Sequence, residues 1–187
     1  MSKLPQDVQE KLKAIKDKLE RFQKKVLEKF DKYIAGIALM PPPKPEELSQ
    51  FQKTHQPGTP PQIAEQKPED KDNIHALVLV DDSDSKTMSK LELKDKLTAI
   101  IGSIAKEIDP KLIPQTLILS ELWQNCFDAK YELLQLIAMS APIYDLGMLS
   151  AIKIAEVHKT MVLKKFEKYI VSYVLAGSLV QGKSTKT

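Results

Sequence analysis

Between Gly177 and Ser184 the chain reads Gly-Ser-Leu-Val-Gln-Gly-Lys-Ser, residue types and a spacing suited to holding phosphate. Glycines let backbone amides approach an anion closely, while Lys183 adds a charge and Ser178 and Ser184 add hydroxyls. Taken literally, Gly177, Gly182, Lys183 and Ser184 satisfy the GxxxxGK[ST] pattern of a P-loop NTPase. That pattern works when a following helix points its N-terminus at the phosphates. Only Thr185, Lys186 and Thr187 follow here, so a P-loop NTPase fragment would lack its helix within this sequence. A second reading takes Gly177, Ser178 and Gly182 as a glycine-serine loop closing a strand. Choosing between them depends on the elements that position the loop.

Other chemistry-bearing residues are scattered. Asp81, Asp82 and Asp84 form an acidic knot at a strand-to-helix turn, where a solvated turn is the simpler account than a cation site. His55, His75 and His158 have no Cys or His neighbour at metal-ligand spacing. Cys126, beside Trp123, reads as a small packed hydrophobe rather than a nucleophile.

The elements follow from periodicity. Val8, Leu12, Ile15, Leu19, Phe22, Val26 and Phe30 fall on one face of a long helix. That face suits packing on a sheet, with a coiled coil as the alternative. Tyr33–Met40 is a short apolar run expected to be a buried strand. Residues 41–72 hold eight of the twelve prolines and little to bury, and are expected to be a flexible Pro-rich loop. Asn73–Val80 reads as a second strand. Ser89 and Glu92 match a capping box opening a helix to about Ile108, which Asp109-Pro110 ends. Thr116–Ser120 reads as a third strand, followed by helical stretches over 121–140 and 147–169. Ile170–Ala176 is expected to be a further strand. The order predicts an α/β (α+β) fold, a small mixed sheet flanked by helices with long N-terminal and C-terminal helices.

An internal repeat refines this reading. Residues 26–34, VLEKFDKYI, recur 136 positions later as VLKKFEKYI, identical at seven of nine positions. Each copy ends a helix and enters an apolar segment. The repeat implies two homologous units, 1–146 and 147–187, the second holding only its first helix and strand. In this alignment Ala176-Gly177-Ser178 matches Met40-Pro41-Pro42, so the first unit has prolines where the second has the phosphate-type loop.

A helix feeding a strand that ends in Gly-Ser, followed by a further glycine, resembles the DNA polymerase beta-like nucleotidyltransferase superfamily. The residues carrying the resemblance are Leu175-Ala176-Gly177-Ser178 and Gly182. In that family the next strand carries [ST]-D-x-D, and Ser184-Thr185-Lys186-Thr187 would lie immediately before it. The resemblance implies Mg²⁺ and a nucleoside triphosphate as cofactors of a full-length protein that transfers a nucleoside monophosphate. It implies phosphate binding by Gly177, Ser178, Gly182, Lys183 and Ser184. In the first unit, Asn73 and His75 stand where the two carboxylates belong. Residues i and i+2 share one face of a strand, and two acids there hold a metal pair for in-line attack on phosphate. Asn and neutral His cannot supply that charge, so the first unit is expected to be degenerate and this stretch inactive. The alternative function is a scaffold module binding protein or nucleic acid.

Composition limits the partners. The net charge of +3 is carried almost wholly by lysine, with Arg21 the sole arginine, so bidentate recognition of phosphate or guanine is scarce and nucleic-acid contact would be weak. The single cysteine excludes an internal disulfide and suits a cytoplasmic location. No apolar run reaches bilayer-spanning length, so no membrane partner is expected. An exposed strand edge at 170–176 would invite a homodimer.

Overall fold

The computed structural model describes residues 6–41, 73–85, 88–128, 130–174 and 176–177. Helix α1 (Gln6–Phe30) turns Leu19, Phe22 and Val26 fully into the core, with Ile15 and Phe30 packed beside them, while Leu12 is exposed. The apolar face thus lies on a sheet from Ile15 to Phe30, as its spacing predicts. Strand β1 (Ile34–Leu39) and strand β2 (Ile74–Val80) pair antiparallel, from Ile34 against Val80 to Leu39 against Ala76. β2 is covered on both faces, which is why it reads as a nearly unbroken apolar run. The Pro-rich loop expected at 41–72 lies outside the described residues beyond Pro41.

Helix α2 (Lys90–Ile108) begins where its cap predicts, with Ser89 Oγ accepting from Glu92 N–H at 3.2 Å. The other half of the capping box does not form. The Glu92 carboxylate instead accepts from Lys96 Nζ at 2.8 Å, one turn along the exposed face. Asp109 ends the helix. Its carboxylate accepts the Lys111 backbone N–H at 2.8 Å and pairs with Lys18 of α1 at 2.5 Å, tying the helix end to the neighbouring helix.

Strand β3 is Leu112–Ile118, not 116–120 as the sequence suggests. It lies parallel to β2 over its whole length, Ile74 against Leu112 through Val80 against Ile118. Pro114 hid its first half, because a proline argues against a central strand. β3 is at the sheet's edge, where a missing donor is tolerated. Leu119 and Ser120 open helix α3 (Leu119–Phe127) instead. The helical stretch expected over 121–140 is broken after Phe127 and resumes as α4 (Glu132–Met139). A fourth strand, β4 (Ala141–Asp145), was not expected at all. Its half-exposed Ala-Pro-Ile-Tyr-Asp carries neither a clear alternation nor an apolar run. β4 pairs antiparallel with β1 and gives the strand order β3-β2-β1-β4, with a proline in each border strand, Pro114 and Pro142.

Helices cover both faces of this mixed sheet. On one, α1 and α2 pack Phe22, Val26, Ile101 and Ile104 against Ile34, Val78, Val80 and Ile118. On the other, α3, α4 and helix α5 (Met148–Phe166) pack Leu122, Ile137, Leu149 and Ile152 against Ala38, Leu77 and Leu79. Close seating of α5 depends on Gly36 of β1. A Cβ there would lie 2.6 Å from Leu149 Cδ1 and 2.7 Å from Cγ, distances that real side chains do not show. The first two turns of α5 therefore share the core of residues 1–146. Beyond Ile152 no α5 residue is fully buried. After a short 3₁₀ turn at Glu167–Tyr169, the segment Ile170–Val174 is not a strand: none of its described residues pairs with the sheet.

Candidate functional site

The station where the nucleotidyltransferase resemblance would place catalysis is the junction between the end of β1 and the start of β2. Antiparallel pairing brings these ends together, and Met40 N–H donates to His75 O at 2.8 Å. A loop leaving β1 at Pro41 therefore starts beside His75 and Asn73. His75 continues the β2 face of Leu77 and Leu79 and is half-buried, and Asn73 immediately precedes the strand. Neither side chain is an acid, and both residues interact with the surrounding chain.

Lys111 closes the other side of the station, its carbonyl accepting Ile74 N–H at 2.8 Å. Asp109, two residues before Lys111, is already committed to Lys18 and to Lys111 N–H; the hydrogen bond from Lys18, then that backbone donor, holds its pKa below the usual carboxylate value. Among the described residues, no three His, Cys, Asp or Glu side chains come close enough to hold a metal ion. Asn73 and His75 do not fit an Mg²⁺ pair, which needs negative oxygen ligands.

Of the phosphate-type loop, only Gly177 lies among the described residues. It adopts φ +125°, a left-handed conformation that favours glycine. Ser178, Gly182, Lys183 and Ser184 lie outside the described residues, as does Leu175. Glycine-serine loop and P-loop thus remain two readings of the same residues.

The acidic knot is at the far end of β2 and is used locally. Asp81 Oδ1 accepts Ser83 N–H at 2.9 Å, and Asp82 Oδ1 accepts Ser120 N–H at 3.0 Å, which caps the first turn of α3. Burial pushes the Cys126 thiol pKa up, so it stays protonated and poorly nucleophilic.

Two anchors escaped the sequence reading. Asp145, at the end of β4, accepts from the backbone N–H groups of Gly147, Leu149 and Ser150, each at 2.9 Å, and from Ser150 Oγ. An Asp two residues ahead of Gly147 at a helix start was its available signal; Gly147 itself takes φ +108°. His158 Nδ1 and Tyr173 Oη lie 3.0 Å apart, holding the segment after α5 back along the helix. Fifteen positions separate the two in sequence, so no local pattern announces the pair. Compared with protein-family models, curated proteins and solved structures, the chain matches none of them. No helix among the described residues is long and apolar enough to cross a membrane.

Proposed function

We propose that this chain is a non-catalytic portion of a nucleotidyltransferase-like protein located in the cytoplasm, with residues 1–146 forming the bulk of a degenerate partner unit. The observation carrying this reading is the β1/β2 junction. An antiparallel pair sets the end of one strand, where a glycine-serine loop would begin, against the start of another, where two carboxylates would stand. The sequence places Pro41, Asn73 and His75 at those stations. On this reading the junction supplies the adjacency that phosphate transfer would use, while Pro41, Asn73 and His75 lack the negative charge that the chemistry needs.

In the full-length protein, the second unit would bind a nucleoside triphosphate with Mg²⁺ through Gly177, Ser178, Gly182, Lys183 and Ser184. Transfer of a nucleoside monophosphate would then use acids outside this sequence. The test is incubation of the chain with Mg²⁺ and α-labelled nucleoside triphosphates, with nucleic acid and protein acceptors present. No label should be transferred, and transfer by this chain would overturn the assignment of Asn73 and His75. The same nucleotides, fluorescently labelled, should bind weakly and lose affinity on Ser178→Ala. If Lys183→Ala abolishes binding while Ser178→Ala does not, the loop is the P-loop kind.

The alternative scaffold role is favoured by one separate observation, the apolar outer side of α5, which no described residue covers.

A further inference from the structure

Helix α5 is apolar on two opposite sides. Leu149 and Ile152 enter the core, while Ile154, Val157 and Met161, 70%, 54% and 66% exposed, form a stripe on the outer side. At 3.6 residues per turn these three fall within about 60° of one another. A helix lying on a membrane needs a broader apolar face, whereas a stripe this narrow has the width of a seam between two helices. Ile154, Val157, His158 and Met161 stand at i, i+3, i+4 and i+7, the four corners of a hole that takes a side chain from a facing helix. With Lys153 they line an open groove of about 420 Å³. Helix α1 carries Lys18, Arg21 and Lys25 at the positions equivalent to the stripe under the repeat. The stripe is therefore not a property of the shared helix-to-strand junction.

Charge says what the facing helix carries. Lys153 and Lys164 flank the stripe on one side and Lys165 on the other. Among the described residues none of the three pairs with an acid: Lys153 Nζ donates to Ser140 O at 3.5 Å, and Lys165 Nζ lies 5.4 Å from the centre of the Phe166 ring. Glu156 is on the inner side of the helix, tied to Lys159 at 2.6 Å, and Glu167 follows the helix end. The outer half of α5 is thus apolar and cationic, with no acid along the stripe. A second α5 laid against the first would set lysine against lysine. Nor does the α3–α4 region supply the complement, since Glu121 pairs with Lys94 at 2.7 Å and Lys130 lies 3.9 Å from Asp128. The acids come from a different molecule.

We propose that the outer face of α5 receives an acidic amphipathic helix of another protein. An apolar side chain of that helix fills the hole between Ile154, Val157, His158 and Met161, and acids on its two borders meet Lys153 and Lys164 on one side and Lys165 on the other. Apolar contact supplies the burial, and the opposite charges set the register and speed encounter. Such a contact rests on the scaffold reading and names its partner. The nucleotide-transfer assay is blind to it, so the two readings of function fail separately.

The probe is a fluorescently labelled synthetic peptide of about three heptads, with leucine at the a and d positions and glutamate at e and g, whose own charges oppose self-pairing at neutral pH. Its anisotropy should saturate as the chain is added up to about 100 µM, and the mixture should show more helix by circular dichroism than the sum of its parts. The affinity should fall as salt rises. A peptide with lysine in place of every glutamate should bind at least about tenfold more weakly, and Lys164→Glu with Lys165→Glu should reverse that preference. Val157→Glu, an acid in the seam, should abolish binding of the acidic peptide. All three positions are exposed, so the variants should keep the native circular dichroism spectrum and melting temperature. No binding of the acidic peptide, equal binding of the two peptides, or binding that survives Val157→Glu would overturn the proposal. So would sedimentation of the chain with phosphatidylserine vesicles, or a dimer of the chain, that Val157→Glu abolishes.

Discussion

Lys18 and Asp109 show how one ion pair ties two helices on the same face of the sheet. The side-chain hydrogen bond from Lys18, followed by the backbone donor of Lys111, depresses the pKa of Asp109. A carboxyl group whose folded pKa lies below its unfolded value stabilises the fold above that unfolded value. The contribution is lost as pH falls through the folded one. Melting temperature should therefore be flat near neutral pH and fall below about pH 4, the ordinary range of an aspartate. Lys18→Met should cost about 1 kcal/mol at pH 7 and make the acid-side fall shallower, as read from thermal melts across pH. A fall of unchanged steepness in the variant would assign the acid sensitivity elsewhere. Glu107 is shifted in the same direction by Lys25 and contributes to the same limb. The pairing of Lys18 with Asp109 was not legible in the sequence, because 91 positions separate the two.

Among the elements, the two strongest patterns, the seven-residue apolar face of α1 and the unbroken run of β2, were readable because each is covered by packing of one period. β3 and the α3–α4 break were not, for reasons residing in single residues. Pro114 interrupts a strand pattern without interrupting the strand, since an edge position spares the missing donor. The sequence over 121–140 reads as one helix, yet the first helix ends at Phe127 and the next begins at Glu132, with Leu133 and Ile137 on the sheet. β4 is half-exposed at an edge, and a strand of that kind has no burial pattern to leave in sequence. At α2 the capping signal was half right. Ser89 caps, and Glu92 turns to Lys96. Ser89→Ala should therefore lower the urea midpoint by an amount equivalent to about 1 kcal/mol, whereas Glu92→Gln should cost under about 0.5 kcal/mol. Equal losses would show that the reciprocal cap forms after all.

At the scale of the whole molecule, the repeat suggests a boundary near residue 147, while the core runs through it. Met148, Leu149 and Ile152 are buried with β1 and β2 residues, and Asp145 anchors the turn that carries them there. Ending the chain at Leu146 exposes no new strand but removes these three side chains. At about 1.5–3 kcal/mol each, the loss is roughly 5–9 kcal/mol, comparable to the whole stability of an ordinary domain. The shortened chain should show no cooperative melt by circular dichroism, and a native-like melt would show that residues 1–146 fold without these side chains. The candidate site was legible in its residue types, since Asn73, His75 and Gly177 could be named from sequence. Its adjacency was not, because the contact of Met40 with His75 is made by strand pairing between residues 35 positions apart.

The prolines in the two border strands have a consequence for how this molecule tolerates crowding. Pro114 and Pro142 each interrupt the row of backbone donors that a newcomer would have to match. Sideways extension of the sheet into a ribbon of many molecules is therefore disfavoured from both margins. Sticky surface elsewhere can then serve recognition without seeding fibrils.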